Sequence, residues 1–204
     1  DTTEFLVNTF EMDDTELKIG DNATVTLVLS VAVIEFSNAD ITVPNGSLST
    51  MTSTDNRTWI GYFTPTGDRE DTSNTLSLAT SYTDLAGNNG TAKTTANYRV
   101  DTRKPTLSEV TAVSTPTNDN TPNYTFSSNE AGTITYGGSC SSSTSSASAT
   151  NNTITFNALN DGTTYSNCTI TVTDSSGNFS SALAITSFTV AIPPVLAEVT
   201  AVPN

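Results

Sequence analysis

The sequence predicts an all-β chain made of two tandem antiparallel β-sandwiches in a rod-like arrangement. Three observations carry this reading. Helical periodicity is almost absent; short alternating stretches rich in Val, Ile, Thr, Tyr and Phe recur between Gly, Asn, Asp and Pro. The chain also repeats itself. Leu107-Ser-Glu-Val-Thr-Ala-Val113 returns as Leu196-Ala-Glu-Val-Thr-Ala-Val202, 89 residues on, and Thr83-Asp-Leu-Ala-Gly-Asn88 returns as Thr173-Asp-Ser-Ser-Gly-Asn178, 90 residues on. A period this long is a whole domain rather than a solenoid turn. Finally, 204 residues accommodate two domains of about 100 each, each able to bury a modest core.

In order along the first half, Ala23–Leu29 alternates so that Val25, Leu27 and Leu29 share one face. Residues 57–63 and 76–82 read as further strands, 92–100 closes the domain, and Trp59 is the expected core anchor. In the second half the strands are expected at 123–126, 133–136, 153–159, 168–172 and 185–190. About seven short strands at 8–12-residue spacing in a unit of about 90–100 residues indicate a sandwich of immunoglobulin type. The expected boundaries are 1–101 for the first sandwich, 102–192 for the second, and 193–204 as the start of a next repeat or a tail. Asp1-Thr2-Thr3 echoes the linker Asp101-Thr102-Arg103, so both ends read as cuts within a longer tandem array. The linker Val100–Pro105 is short and stiffened by proline.

Charge narrows the function. Seven basic residues face 21 acidic ones, for a net charge of −14, and every basic residue lies at or before Lys104. Phosphate recognition needs cationic side chains, so nucleic acid is excluded as a partner. No apolar run approaches the ~20 residues that span a bilayer, so no membrane insertion is expected. The two cysteines, Cys140 and Cys168, fall at the end of the third strand and the start of the sixth in the second sandwich. Those strands are neighbours in this fold, so a disulfide is favoured over two reduced core thiols and points to an oxidising, extracellular setting. The run Ser139–Thr150 reads as a solvated connector.

The chemistry-bearing residues are carboxylates. The second-to-third and sixth-to-seventh strand loops lie at the end where the chain enters a sandwich. For the second domain this assembles Asp101, Glu130 and Asp174. Three carboxylates repel one another unless a hard cation neutralises them, and oxygen-only ligands on loops suit Ca²⁺. Asp1 and Asp84 are the equivalent pair of the first domain, but Val31 stands where an acid would complete that site, with Glu35, four residues on, as the substitute. The competing reading is that Asp84 and Asp174 each cap their own Asp-x-x-Gly turn. Asp13, Asp14 and Asp119 are expected in turns, and Asp68, Glu70 and Asp71 in a solvated loop. Without histidine, Ser–His and Cys–His machinery is absent, and an enzyme is not expected. The Thr-x-Thr runs could form an ice-binding face but fit ordinary outward strand positions better.

Met12-Asp-Asp-Thr-Glu-Leu-Lys-Ile-Gly20, Phe36-Ser-Asn-Ala-Asp-Ile-Thr42, Tyr82–Asn88 and Tyr98-Arg-Val-Asp-Thr102 resemble the bacterial immunoglobulin-like repeats of giant type I-secreted adhesins, the RTX and biofilm-associated proteins. The second half, with Thr115-Pro-Thr-Asn-Asp-Asn-Thr-Pro122, Asn129-Glu-Ala-Gly132 and Asp174–Asn178, resembles another repeat type of similar proteins. The resemblance implies a monomeric extracellular extender on a bacterial surface. Its partners are neighbouring repeats of the same chain, and calcium stiffens the linkers. It supports Asp101, Glu130 and Asp174 as ligands. The alternative is a module that binds a glycan or host protein, with the serine run and Trp59 as candidate surfaces.

Overall fold

The computed structural model describes residues 5–194. The chain forms two compact units, Asp1–Arg103 and Lys104–Asn204. The division falls two residues after the boundary expected from sequence. Of the segment expected to begin a further repeat, residues 195–204 lie outside the described residues.

The described strands of the first unit are β1 (Val7–Met12), β2 (Glu16–Lys18), β3 (Ala23–Leu29), β4 (Val33–Ile34), β5 (Ile41–Thr42), β6 (Gly46–Leu48), β7 (Thr58–Pro65), β8 (Glu70–Asn74), β9 (Ser77–Leu78), β10 (Thr83–Asp84), β11 (Lys93–Thr94) and β12 (Tyr98–Asp101). One layer is the sheet β1-β3-β7-β6. The other is assembled from β10-β4, β11-β9-β5 and β2-β12-β8. Strict alternation makes β3 the centre of the first layer: Ala23, Val25, Leu27 and Leu29 are all buried. They share one core with Leu17, Leu76, Leu78, Tyr82, Tyr98 and Val100 of the facing layer. Burying each large side chain contributes about 1.5–3 kcal/mol.

Two expectations need correction here. Trp59 is not the core anchor. It is only partly buried, packed on Phe36 at 4.7 Å between ring centroids, and its Nε1 is buried without a hydrogen-bond partner among the described residues. The centre is held by Phe63 against Tyr98, 5.1 Å apart edge-to-face, and by Tyr82. Tyrosine suits this place because each hydroxyl reaches a carbonyl: Tyr98 Oη donates to Pro44 O at 2.6 Å and Tyr82 Oη to Thr91 O at 3.0 Å. The charged stretch at 68–71 is not simply a loop. Glu70 and Asp71 open β8, which pairs with β12. Asp71 accepts from Asn45 Nδ2 at 2.8 Å, and Arg103 approaches Asp68 and Glu70 at 3.9 and 3.8 Å.

The second unit is built the same way from β13 (Leu107–Thr111), β14 (Asn123–Ser128), β15 (Gly132–Gly137), β16 (Ser146–Ala147), β17 (Asn151–Thr155), β18 (Thr164–Tyr165), β19 (Thr169–Thr173), β20 (Leu183–Ala184) and β21 (Phe188–Thr189). The layer β13-β14-β17 faces β16-β15-β19-β20 and β18-β21. Between them lie Tyr124, Phe126, Ile154, Phe156, Ile170, Val172, Phe188 and Val190. Both units are immunoglobulin-like antiparallel sandwiches. Cys140 and Cys168 form the expected disulfide, with Cα atoms 5.3 Å apart, beside the paired ends of β15 and β19 at Gly137 and Thr169. The serine run is tied down at several points. It contains β16, which pairs with β15; Ala147 is buried; Ser142 Oγ donates to Thr155 O at 2.6 Å.

Candidate functional site

The two aspartate turns repeat the same bonds almost atom for atom. Asp84 Oδ1 accepts from Ala86 N at 2.8 Å and Asn88 N at 2.9 Å, and Asp84 Oδ2 accepts from Asn88 Nδ2 at 2.8 Å. In the second unit Asp174 Oδ1 accepts from Ser176 N and Asn178 N, both at 2.9 Å, and Oδ2 from Asn178 Nδ2 at 3.1 Å. In each turn the aspartate N–H donates to the asparagine carbonyl at 3.0 Å. Gly87 and Gly177 sit at φ 85° and 92°, a left-handed conformation that a side chain would penalise. The first-unit carboxyl is held below the usual aspartate range, first by the Asn88 amide and then by backbone N–H groups. Each turn therefore stands folded on its own hydrogen bonds.

Strand register then brings the loops together. In the second unit Thr133 pairs with Thr173, so Glu130, two residues before β15, and Asp174, directly after β19, lie at the same end of one strand pair. Glu130 is half-buried, and Asn129 Nδ2 approaches its Oε1 at 3.3 Å. The incoming chain docks on the same loop: Thr106 N donates to Asn129 Oδ1 at 2.6 Å, and Asn129 N to Thr106 O at 3.3 Å. Lys104 lies with its Nζ 5.4 Å from the Phe179 ring centroid, next to the Asp174 turn. In the first unit the corresponding loops are joined by the pair Asp84–Val33. A cation of the protein's own serves that end: Arg57 Nη2 donates to Ser30 O at 2.7 Å. Val31 is exposed there.

Residues 1–100 match the model of a family described as a bacterial Ig-like domain. The first unit is similar to a bacterial Ig-like domain over nearly its whole length. Searches of curated proteins and of solved structures returned no significant match. Bacterial Ig-like domains are a non-catalytic fold type, typically found as structural or adhesion modules of surface and extracellular proteins. No helix of the described residues is long and apolar enough to cross a membrane.

Within the first unit, Asp101 ends β12, and its Oδ1 receives Arg103 N at 3.3 Å. Asp84 closes its own turn, and Asp1 lies outside the described residues. In neither unit do three His, Cys, Asp or Glu side chains gather closely enough to hold an ion among the described residues. The donor chemistry nonetheless fits a hard cation. The carboxylates are oxygen donors, and in each aspartate turn Oδ2 accepts from the asparagine side-chain amide.

Sequence reasoning missed the asparagines. Asn88 and Asn178, four residues after each aspartate, are what fix the carboxylates; the repeated Asp-x-x-Gly-Asn spacing was the signal available. It also missed a third fate for an acid without a basic partner. Glu109 is half-buried on β13, accepting from Thr186 N at 3.0 Å and Thr186 Oγ1 at 2.7 Å. Burial raises its pKa, but the Thr186 bonds outweigh that, and the net shift is downward.

Proposed function

We propose that this chain is part of the extender of a large bacterial cell-surface adhesin, a spacer that carries a binding region away from the cell. In this reading Ca²⁺ stiffens the linker between the two sandwiches through Asp101, Glu130 and Asp174. The observation that carries it is the shared end of β15 and β19. Glu130 and Asp174 stand together there, and the incoming chain is already clamped at Thr106 by Asn129. Asp101 is five residues before that clamp in the sequence. The Asp174 turn holds its carboxylate ready without help from an ion, so calcium would not need to fold the loop. The cation supplies positive charge that lets carboxylates on either side of the linker approach. The chain's own part is to hold each oxygen on a short, backbone-locked loop.

Glu130→Gln is the cleanest test, because Glu130 is not one of the residues that build an aspartate turn. Calorimetric titration of the wild-type chain with CaCl₂ is expected to show binding that this variant weakens at least tenfold. Small-angle scattering should show greater inter-domain flexibility after EDTA. Scattering and melting curves indifferent to EDTA would refute the calcium reading.

A further inference from the structure

We propose that the two sandwiches are graded against tension: the second yields first, and its disulfide limits how far it can lengthen. The inference rests on the spacer reading, since only a load-bearing chain uses such a grading. In both units an early strand segment runs parallel to the last strand. Tension on the chain ends pulls such neighbours in opposite directions along their length, so the bonds between them are loaded together in shear rather than peeled singly. Resistance then grows with the number of paired residues.

The units differ in that number. In the first, β2 and β12 pair over three residues, Glu16–Arg99, Leu17–Val100 and Lys18–Asp101. Arg99 N donates to Thr15 O at 2.8 Å, Arg99 and Glu16 form an ion pair at 3.2 Å, and Leu17 and Val100 are buried beneath the ladder. In the second, a single parallel pair, Thr117–Val190, does this work among the described residues. Its bonds are Thr117 N to Thr189 O at 2.9 Å and Ala191 N to Thr117 O at 2.8 Å. Side-chain ties do not redress the balance. The Glu109–Thr186 clasp and the bond from Thr189 N to Thr115 Oγ1 at 3.1 Å have counterparts in the first unit. There Thr91 Oγ1 donates to Phe5 O at 2.8 Å, and Lys93 Nζ to Val7 O at 2.9 Å and Asn8 O at 3.3 Å.

Once the weaker clamp parts, the disulfide decides the stroke. Cys140 and Cys168 are 28 residues apart in sequence. Those residues stay looped out of the load path while the bond is closed, which withholds about 95 Å of extended chain. They bracket β16, β17 and β18, whose ladder partners β15, β14 and β21 all lie outside the cross-linked loop.

The test is to pull the whole 204-residue chain between handles at its two ends, oxidised and after reduction with dithiothreitol, with the double variant Cys140→Ala/Cys168→Ala as a second arm. Two ruptures are expected in the oxidised chain. The one at lower force should gain about 95 Å on reduction or in the variant, and the one at higher force should not change. Lengthening of the higher-force rupture overturns the grading, as do two ruptures at equal force. Failure of either rupture to lengthen in both arms overturns the stroke limit. With EDTA present throughout, none of these outcomes reads calcium, and the calcium reading of the linker is tested separately by scattering.

Discussion

Glu109 shows how a domain with one basic residue manages its acids. A carboxylate without a cation need not face water, because backbone N–H groups can take the place of a base. Asp161 Oδ1 accepts from Gly162 N at 2.9 Å and Ile192 N at 2.8 Å. Asp119 Oδ1 accepts from Thr121 N at 2.8 Å and Thr121 Oγ1 at 3.0 Å. Glu109 does the same for Thr186. This was not legible in the sequence, since nothing in it signals that two residues 77 positions apart meet; only the closed sandwich brings β13 beside the β20–β21 connection. A consequence for pH follows. Glu109 has a folded pKa below the ordinary glutamate value of 4.5. Its contribution is therefore fully present above that pH and is lost as pH falls through the lower folded value. Glu109→Gln should destabilise the second unit by about 1 kcal/mol at neutral pH. It should also flatten the decline of that unit's melting temperature below pH 4.5. An acid branch as steep as that of the wild type would show that Glu109 is not its source.

Among elements, legibility follows the source of the signal. β3 announces itself because period-two alternation of Val and Leu is a property of its own residues. β8, Glu-Asp-Thr-Ser-Asn, has no apolar residue and reads as loop. It is a strand because β12 offers it a ladder, with Asn74 buried and its Nδ2 bonded to Tyr98 O at 3.2 Å. The disulfide was legible because strand order alone places the third and sixth strands side by side. Closing a loop of this size should contribute about 3–4 kcal/mol through the unfolded state. Reduction should then lower the second unit's melting temperature by roughly 15 °C while leaving the first unit's transition in place. A calorimetric scan in which both transitions move together would show that the units are not independent. A sharper probe of one contact is Gly132→Ala at the start of β15. A Cβ there would run into the Thr173 carbonyl of the neighbouring strand, which has nowhere to go within its ladder. The expected loss is about 1–3 kcal/mol, read by denaturant unfolding.

For the whole chain, charge competes with the calcium reading as an explanation of any metal effect. A net charge of −14 on 204 residues means self-repulsion, and any added salt relieves part of it by screening. Stabilisation by CaCl₂ alone would therefore say little. The two causes separate at matched ionic strength. Screening depends on ionic strength and reaches both units, the first of which carries most of the basic and most of the acidic residues. Coordination depends on carboxylates at one end of the second unit and on Asp101. Millimolar CaCl₂ is expected to raise the second unit's melting temperature above its value in NaCl of equal ionic strength. Glu130→Gln should abolish that difference while preserving the common rise with salt. The first unit offers an internal control at its own aspartate turn. Asp84 makes the same turn bonds as Asp174, but Arg57 serves the neighbouring loop and Val31 stands where an acid would be needed. Restoring that acid with Val31→Glu should make the first unit's transition more sensitive to calcium than in the wild type. If Ca²⁺ and Na⁺ shift both units equally at matched ionic strength, the carboxylates act only through overall charge, and the linker has no calcium site.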